Sequence, residues 1–105
     1  MVGGGDRIEE LHQNQVNELL RDYKERKVVA EVLHRKDEEL DFLDECIGCF
    51  EPHERDLIVK TCVEGVSLRE YARQSGVSRD TLSKERKKLL AFLGRIFCLR
   101  EAALR

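Results

Sequence analysis

The side chains with the most chemical capacity are cations crowded into one short stretch. Arg69, Arg73, Arg79, Lys84, Arg86, Lys87 and Lys88 fall within twenty residues. Ammonium and guanidinium groups at this density suit a polyanion, because each can neutralise a phosphate and release its counterion. Arginine can also hold the edge of a guanine through two parallel hydrogen bonds, and a carboxylate such as Asp80 can accept from cytosine. Hydroxyl groups at Ser78, Thr81 and Ser83 stand among the cations and complete a candidate DNA-facing set.

Cysteine and histidine supply the other candidate chemistry. Cys46-Ile-Gly-Cys49 has Cys-x-x-Cys spacing, and His53 lies four residues on. These three could ligate zinc with Cys62 or His34 as a fourth, but a complete four-ligand spacing is absent. A redox thiolate wants a helix N-terminus or nearby cations. Cys46 instead falls towards a helix C-terminus beside Asp41, Asp44 and Glu45. The reading is therefore no metal, with Cys46, Cys49, Cys62 and Cys98 as free thiols acting as small hydrophobes in a reducing compartment. His12, His34 and His53 stand in polar surroundings and read as solvated. No serine or cysteine has an activating partner in the sequence, and no glycine loop is placed to cradle phosphate. Neither an enzyme nor a cofactor is expected.

The elements that must position the cations follow from their neighbours. Ser67 can cap one helix, with Glu70 three residues on to complete a capping box and Val66 and Tyr71 set to form a hydrophobic staple. Ser78 can cap a second helix. Between them Gly76 can turn the chain through a left-handed conformation. Two helices joined this closely, with glycine in the turn, describe a helix-turn-helix. Ala72 is small where the helices would cross, Val77 and Leu82 would fill the wedge, and Leu89, Leu90 and Leu93 continue a buried side. The opposite side carries Arg79, Ser83, Lys84, Lys87 and Lys88.

The run 64–72, Glu-Gly-Val-Ser-Leu-Arg-Glu-Tyr-Ala, followed by 75–82, Ser-Gly-Val-Ser-Arg-Asp-Thr-Leu, resembles the DNA-binding region four of bacterial sigma factors. Residues 51–58 resemble the helix that precedes it in that family. Small phage and mobile-element transcription regulators of the ArpU and RinA type share this module behind a long N-terminal helix, and the layout here is similar. The resemblance covers residues 50–93, and departs from the family pattern at Ser75 and Glu85. It implies a sequence-specific transcription regulator whose partner is double-stranded DNA. In such a module the start of the second helix, here Arg79, Asp80, Ser83 and Lys84, points into the major groove. Arg86, Lys87 and Lys88, with Arg69 and Arg73 on the preceding helix, would meet the phosphate backbone. The alternative is a helical protein-interaction module that binds RNA polymerase or another transcription factor with little DNA contact.

The remainder of the chain reads as helix. Residues 1–5 are expected to be a disordered leader, 6–49 a long N-terminal helix, and 50–105 the helix-turn-helix domain with a helical tail. Ile8, Leu11, Leu19, Tyr23, Val29, Leu33, Leu40, Leu43 and Ile47 recur at helical steps. The stripe weakens at Gln15 and Arg26 and is interrupted by the polar run 34–39, and a break near either point is compatible with it. A narrow seam on so long a helix calls for a partner helix. A homodimer through this helix is one solution, and folding back on the C-terminal module is the other. Pro52 suits the first turn of a helix that buries Leu57, Ile58, Thr61 and Cys62 and ends at Gly65. Gly94 would end or weaken the last helix, and Ile96, Phe97, Leu99 and Leu104 are expected to pack.

Charge divides the chain in the same place. Residues 67–105 carry ten Lys/Arg against four Asp/Glu, a balance of +6, which leaves nine against seventeen, or −8, in residues 1–66. The basic part suits a polyanion and the acidic part does not. No apolar run approaches the roughly 20 residues needed to cross a bilayer, and the first residues lack the basic start of a signal peptide. The expectation is an all-α cytoplasmic protein with no membrane partner.

Overall fold

Leucine, glutamate, lysine and arginine dominate the chain and its one proline stands at position 52, so most stretches between turns can propagate as helix. The computed structural model describes residues 3–104, with side-chain surroundings from residue 10 onward. The helices are α1 (Gly3–Arg21), α2 (Tyr23–Val32), α3 (Glu38–Gly48), α4 (Pro52–Ile58), α5 (Leu68–Ser75) and α6 (Arg79–Ala103). A π-helical turn, Val59–Val63, continues α4. No strand occurs among the described residues, so the fold is all-α.

The single helix expected over residues 6–49 is three helices. The first starts at Gly3, inside the stretch expected as a leader, whose Met1 and Val2 lie outside the described residues. At Asp22 the backbone leaves helical values, with a φ of −96° and a ψ of 11°, yet hydrogen bonds from Asp22 N to Glu18 O and from Arg26 N to Asp22 O carry the ladder across. The polar run makes the real break. His34 adopts a φ of 52°, and Asp37 restarts the helix by accepting from Leu40 N at 3.2 Å. Arg26 then clamps α2 to this restart with two hydrogen bonds to Asp37, at 2.8 and 2.9 Å. These bonds hold the Asp37 carboxyl below its usual range against the opposing effect of burial.

α6 is the element that α1, α4 and α5 pack around. Leu82, Leu89, Leu93 and Phe97 share one side of it, and all are buried. α1 lies along α6 and contributes Val16, Leu19 and Leu20, each at most 2% exposed. This part of the α1 seam is therefore covered within the chain, while Leu11 stays exposed. α3 adds Leu40, Leu43 and Ile47, and α4 adds Leu57 and Ile58, so one buried cluster draws on both ends of the sequence. Phe42 meets Phe97 edge-on with centroids 5.2 Å apart.

Gly94 neither ends nor interrupts α6. A Cβ added there would sit 3.2 Å from the backbone N and Cα of Gln13, so the missing side chain is what lets α1 approach this closely. Two further expectations are corrected. Leu99 lies two residues from buried Phe97, on nearly the opposite side of α6, and Leu104 follows the helix end at Ala103; both remain exposed. Val77 stands in the turn between α5 and α6, 41% exposed, and does not fill a wedge, whereas Leu82 is buried.

Candidate nucleic-acid interface

The chain from Ser67 to α6 is built by local rules that can be checked atom by atom. Ser67 Oγ accepts from Glu70 N at 3.1 Å and starts α5. The capping box is only half formed, because the Glu70 carboxylate accepts from Arg73 and from Gln74 instead of reaching back to the cap. Gly76 ends α5 with a φ of 77°, a region where a side chain would be strained, and its N–H closes on Ala72 O. Ser78 Oγ accepts from Thr81 N at 3.2 Å and starts α6 two residues later. The turn between the helices is thus Gly76-Val77-Ser78.

Tyr71 ties this pair of helices to the body. Its hydroxyl donates to Asp56 at 2.6 Å, linking α5 to α4. Burial, the bond to Asp56 and the charge of Glu85 push its pKa up to about 12. Glu85 is half-buried and close enough to Tyr71 for its charge to act on the phenol.

The outer side of α6 is different in character. Arg79, Asp80, Thr81, Lys84, Lys87 and Lys88 are exposed, whereas Ser83 and Arg86 are half-buried. Among the described residues, Arg79, Lys84, Arg86, Lys87 and Lys88 make no ion pair, and neither does Arg69 on α5. Arg26, Lys27, Lys60 and Arg73, by contrast, each have a carboxylate partner. Arg73 is therefore less available to an outside ligand than its position suggests. Ser78 and Thr81 are also engaged, since Ser78 Oγ bonds both the Thr81 backbone and its hydroxyl. Arg69, Arg79, Asp80 and Ser83 line a shared cleft where the starts of α5 and α6 come together.

One residue extends this face beyond the set expected from the sequence. Arg95 is exposed, unpaired among the described residues, and seven positions after Lys88 on the same helix. Residues at that step share a helix face, so Lys84, Lys88 and Arg95 form a line roughly 16 Å long at 1.5 Å per residue. The spacing was visible in the sequence, but it counts only if the helix continues through Gly94.

The cysteines do not assemble a metal centre. Among the described residues no group of three or more His, Cys, Asp or Glu side chains is placed to hold a metal ion, so Cys46, Cys49 and His53 are not gathered with a further ligand. Burial, then the neighbouring Cys49 and Glu45, push the Cys46 thiol up, against a smaller opposing effect of Arg100. No helix among the described residues is long and apolar enough to cross a membrane.

Neither a family model, nor a curated protein, nor a solved structure matches the chain.

Proposed function

We propose that α5, the Gly76–Ser78 turn and α6 form a helix-turn-helix of the sigma region four type, and that the protein is a sequence-specific DNA-binding transcription regulator. The observation that carries this reading is the set of exposed cations on the outer side of α6, unpaired among the described residues and held by a helix pair whose caps and turn are closed by its own side chains. A cation with no internal partner gives up little when it meets a phosphate, and a rigid helix presents several at a fixed spacing. Arg79, Asp80, Ser83 and Lys84 sit where base edges would be read. Lys87, Lys88 and Arg95 follow along the helix, where phosphates would pass. Arg86 and Arg69 flank them. Two copies joined through their N-terminal helices would present two such helices to a two-part operator.

A second reading rests on the acidic N-terminal half. Glu38, Asp41 and Glu45 are exposed at helical spacing along α3. An acidic face of this kind fits a basic surface on RNA polymerase or another transcription factor, with α6 scarcely touching DNA.

A gel-shift titration against genomic fragments flanking the gene, at two salt concentrations, separates the two. DNA reading predicts a retarded complex on at least one fragment, weakened at the higher salt. Absence of any complex at the lower salt removes it and leaves the protein-binding reading.

A further inference from the structure

The turn between α2 and α3 makes a left-handed bend without glycine. Arg35 N donates to Ala30 O at 2.9 Å and His34 N donates to Glu31 O at 3.2 Å. This pair of bonds closes a helix end when the residue after the cap is left-handed, a place usually held by glycine. Here His34 holds it, with a φ of 52°. The other positive φ values among the described residues belong to Gly65 and Gly76, where no Cβ stands in the way. Residues 33–37, Leu-His-Arg-Lys-Asp, contain neither glycine nor proline, and leucine, arginine and lysine favour helix. Local preference is for a helix that runs straight on, and the closed turn opposes it.

The chain before this turn can move as a unit. α1 and α2 share a hydrogen-bond ladder through Asp22. They hold the rest of the chain through α1 along α6, with Gln13 close to Gly94. Arg26 donates to Asp37 and Glu39, Gln15 to Glu39, and Lys27 to Asp44. Each of these pairs has one member before residue 34 and the other after it. A second copy of the chain therefore offers every one of these partners unchanged.

We infer that residues 33–37 are a hinge for domain exchange: α2 and α3 straighten into one helix, and α1 with α2 of each copy packs on α6 and α3 of the other. The surface that receives them is the one that α1 and α2 already cover within the single chain, so no further interface has to be built. Short connections under strain favour such exchange. The exchange is reciprocal about a two-fold axis at the hinges, so the assembly closes as a dimer. It specifies how N-terminal helices join the two copies of the preceding reading, but it does not depend on DNA binding.

Cross-linking of the full chain, without DNA, tests it. Wild type grown on heavy nitrogen and unlabelled wild type are unfolded together in urea, refolded at high micromolar concentration and separated by size. A carbodiimide then joins the Lys27 ammonium to the Asp44 carboxylate as an amide, since the two lie 2.6 Å apart. From the dimer, mass spectrometry is expected to find Lys27 peptides of one isotope joined to Asp44 peptides of the other. His34→Gly is expected to weaken the dimer about 30-fold in sedimentation equilibrium, because the closed turn gains and the straight helix loses at each of two hinges. Circular dichroism of its monomer should match wild type. His34→Val tolerates a left-handed backbone less well and should strengthen the dimer. A wild type that refolds only to monomer at high micromolar concentration overturns the proposal. So does a dimer whose Lys27–Asp44 peptides always carry a single isotope, or one indifferent to both substitutions at His34.

Discussion

Arg79 and Lys87 are both exposed cations on α6, but their places on the helix set different tasks. Arg79 begins the helix, where a bidentate contact to a guanine is within reach. Arg79→Ala is expected to cost about 1–3 kcal/mol on the cognate site and to blur preference at one base pair. Lys87→Ala should weaken binding to all sequences alike. Affinities across single-base operator variants distinguish the two patterns, and unchanged affinity and preference in both variants would turn the account towards protein binding. Tyr71 makes a prediction about stability. Its pKa is raised, so the neutral phenol bonded to Asp56 stabilises the fold fully below the unfolded value near 10, and this contribution is lost as pH rises through about 12. Tyr71→Phe should cost about 1–2 kcal/mol at neutral pH and flatten that alkaline loss, as measured by urea unfolding at several pH values. The sequence exposed which residues were basic, hydroxylic or capping. It could not show that Glu70 would hold Arg73, or that Ser78 would bond the Thr81 hydroxyl, because those choices depend on rotamers.

At the level of elements, three helix starts were legible in the sequence, whereas the restart capped by Asp37 was not, because it lies inside a run read as one helix. Ser67, Ser78 and Pro52 all mark helix starts. Ser78→Ala removes the acceptor for Thr81 N and should destabilise the protein by about 1 kcal/mol while weakening DNA binding further, because the start of α6 frays where Arg79 must stand. Helix ends and partners were less legible. Gly94 reads as a breaker by propensity, and only the approach of Gln13 shows that it is a contact residue. In an open helix, Gly→Ala stabilises by about 1 kcal/mol. Here Gly94→Ala should instead destabilise by roughly 1–3 kcal/mol, since the new methyl group would press on backbone that cannot rotate away. A urea midpoint that rises in this variant would mean that α1 does not cross α6 so closely. The long N-terminal helix fails for a related reason. The polar run 34–39 interrupts the periodicity, but a pattern of apolar positions carries no record of a left-handed His34 between two helices.

Over the whole molecule, charge is divided as the sequence implies, and the fold gives that division a shape. α1 packs along α6 and covers its apolar side, leaving the basic side outward. The acidic residues of α3 belong to the same body, so non-specific attraction to DNA should be modest and concentrated on α6. The central claim is that this outer face meets phosphate. The most direct test is the slope of log affinity against log salt for a duplex containing the preferred site. The comparison is between wild type and a variant carrying Lys84→Ala, Lys87→Ala and Lys88→Ala together. Each phosphate contact contributes about 0.9 units of slope. The account predicts a negative slope for wild type that becomes shallower by about two to three units in the variant, with helix content unchanged. Equal slopes for the two proteins would contradict it.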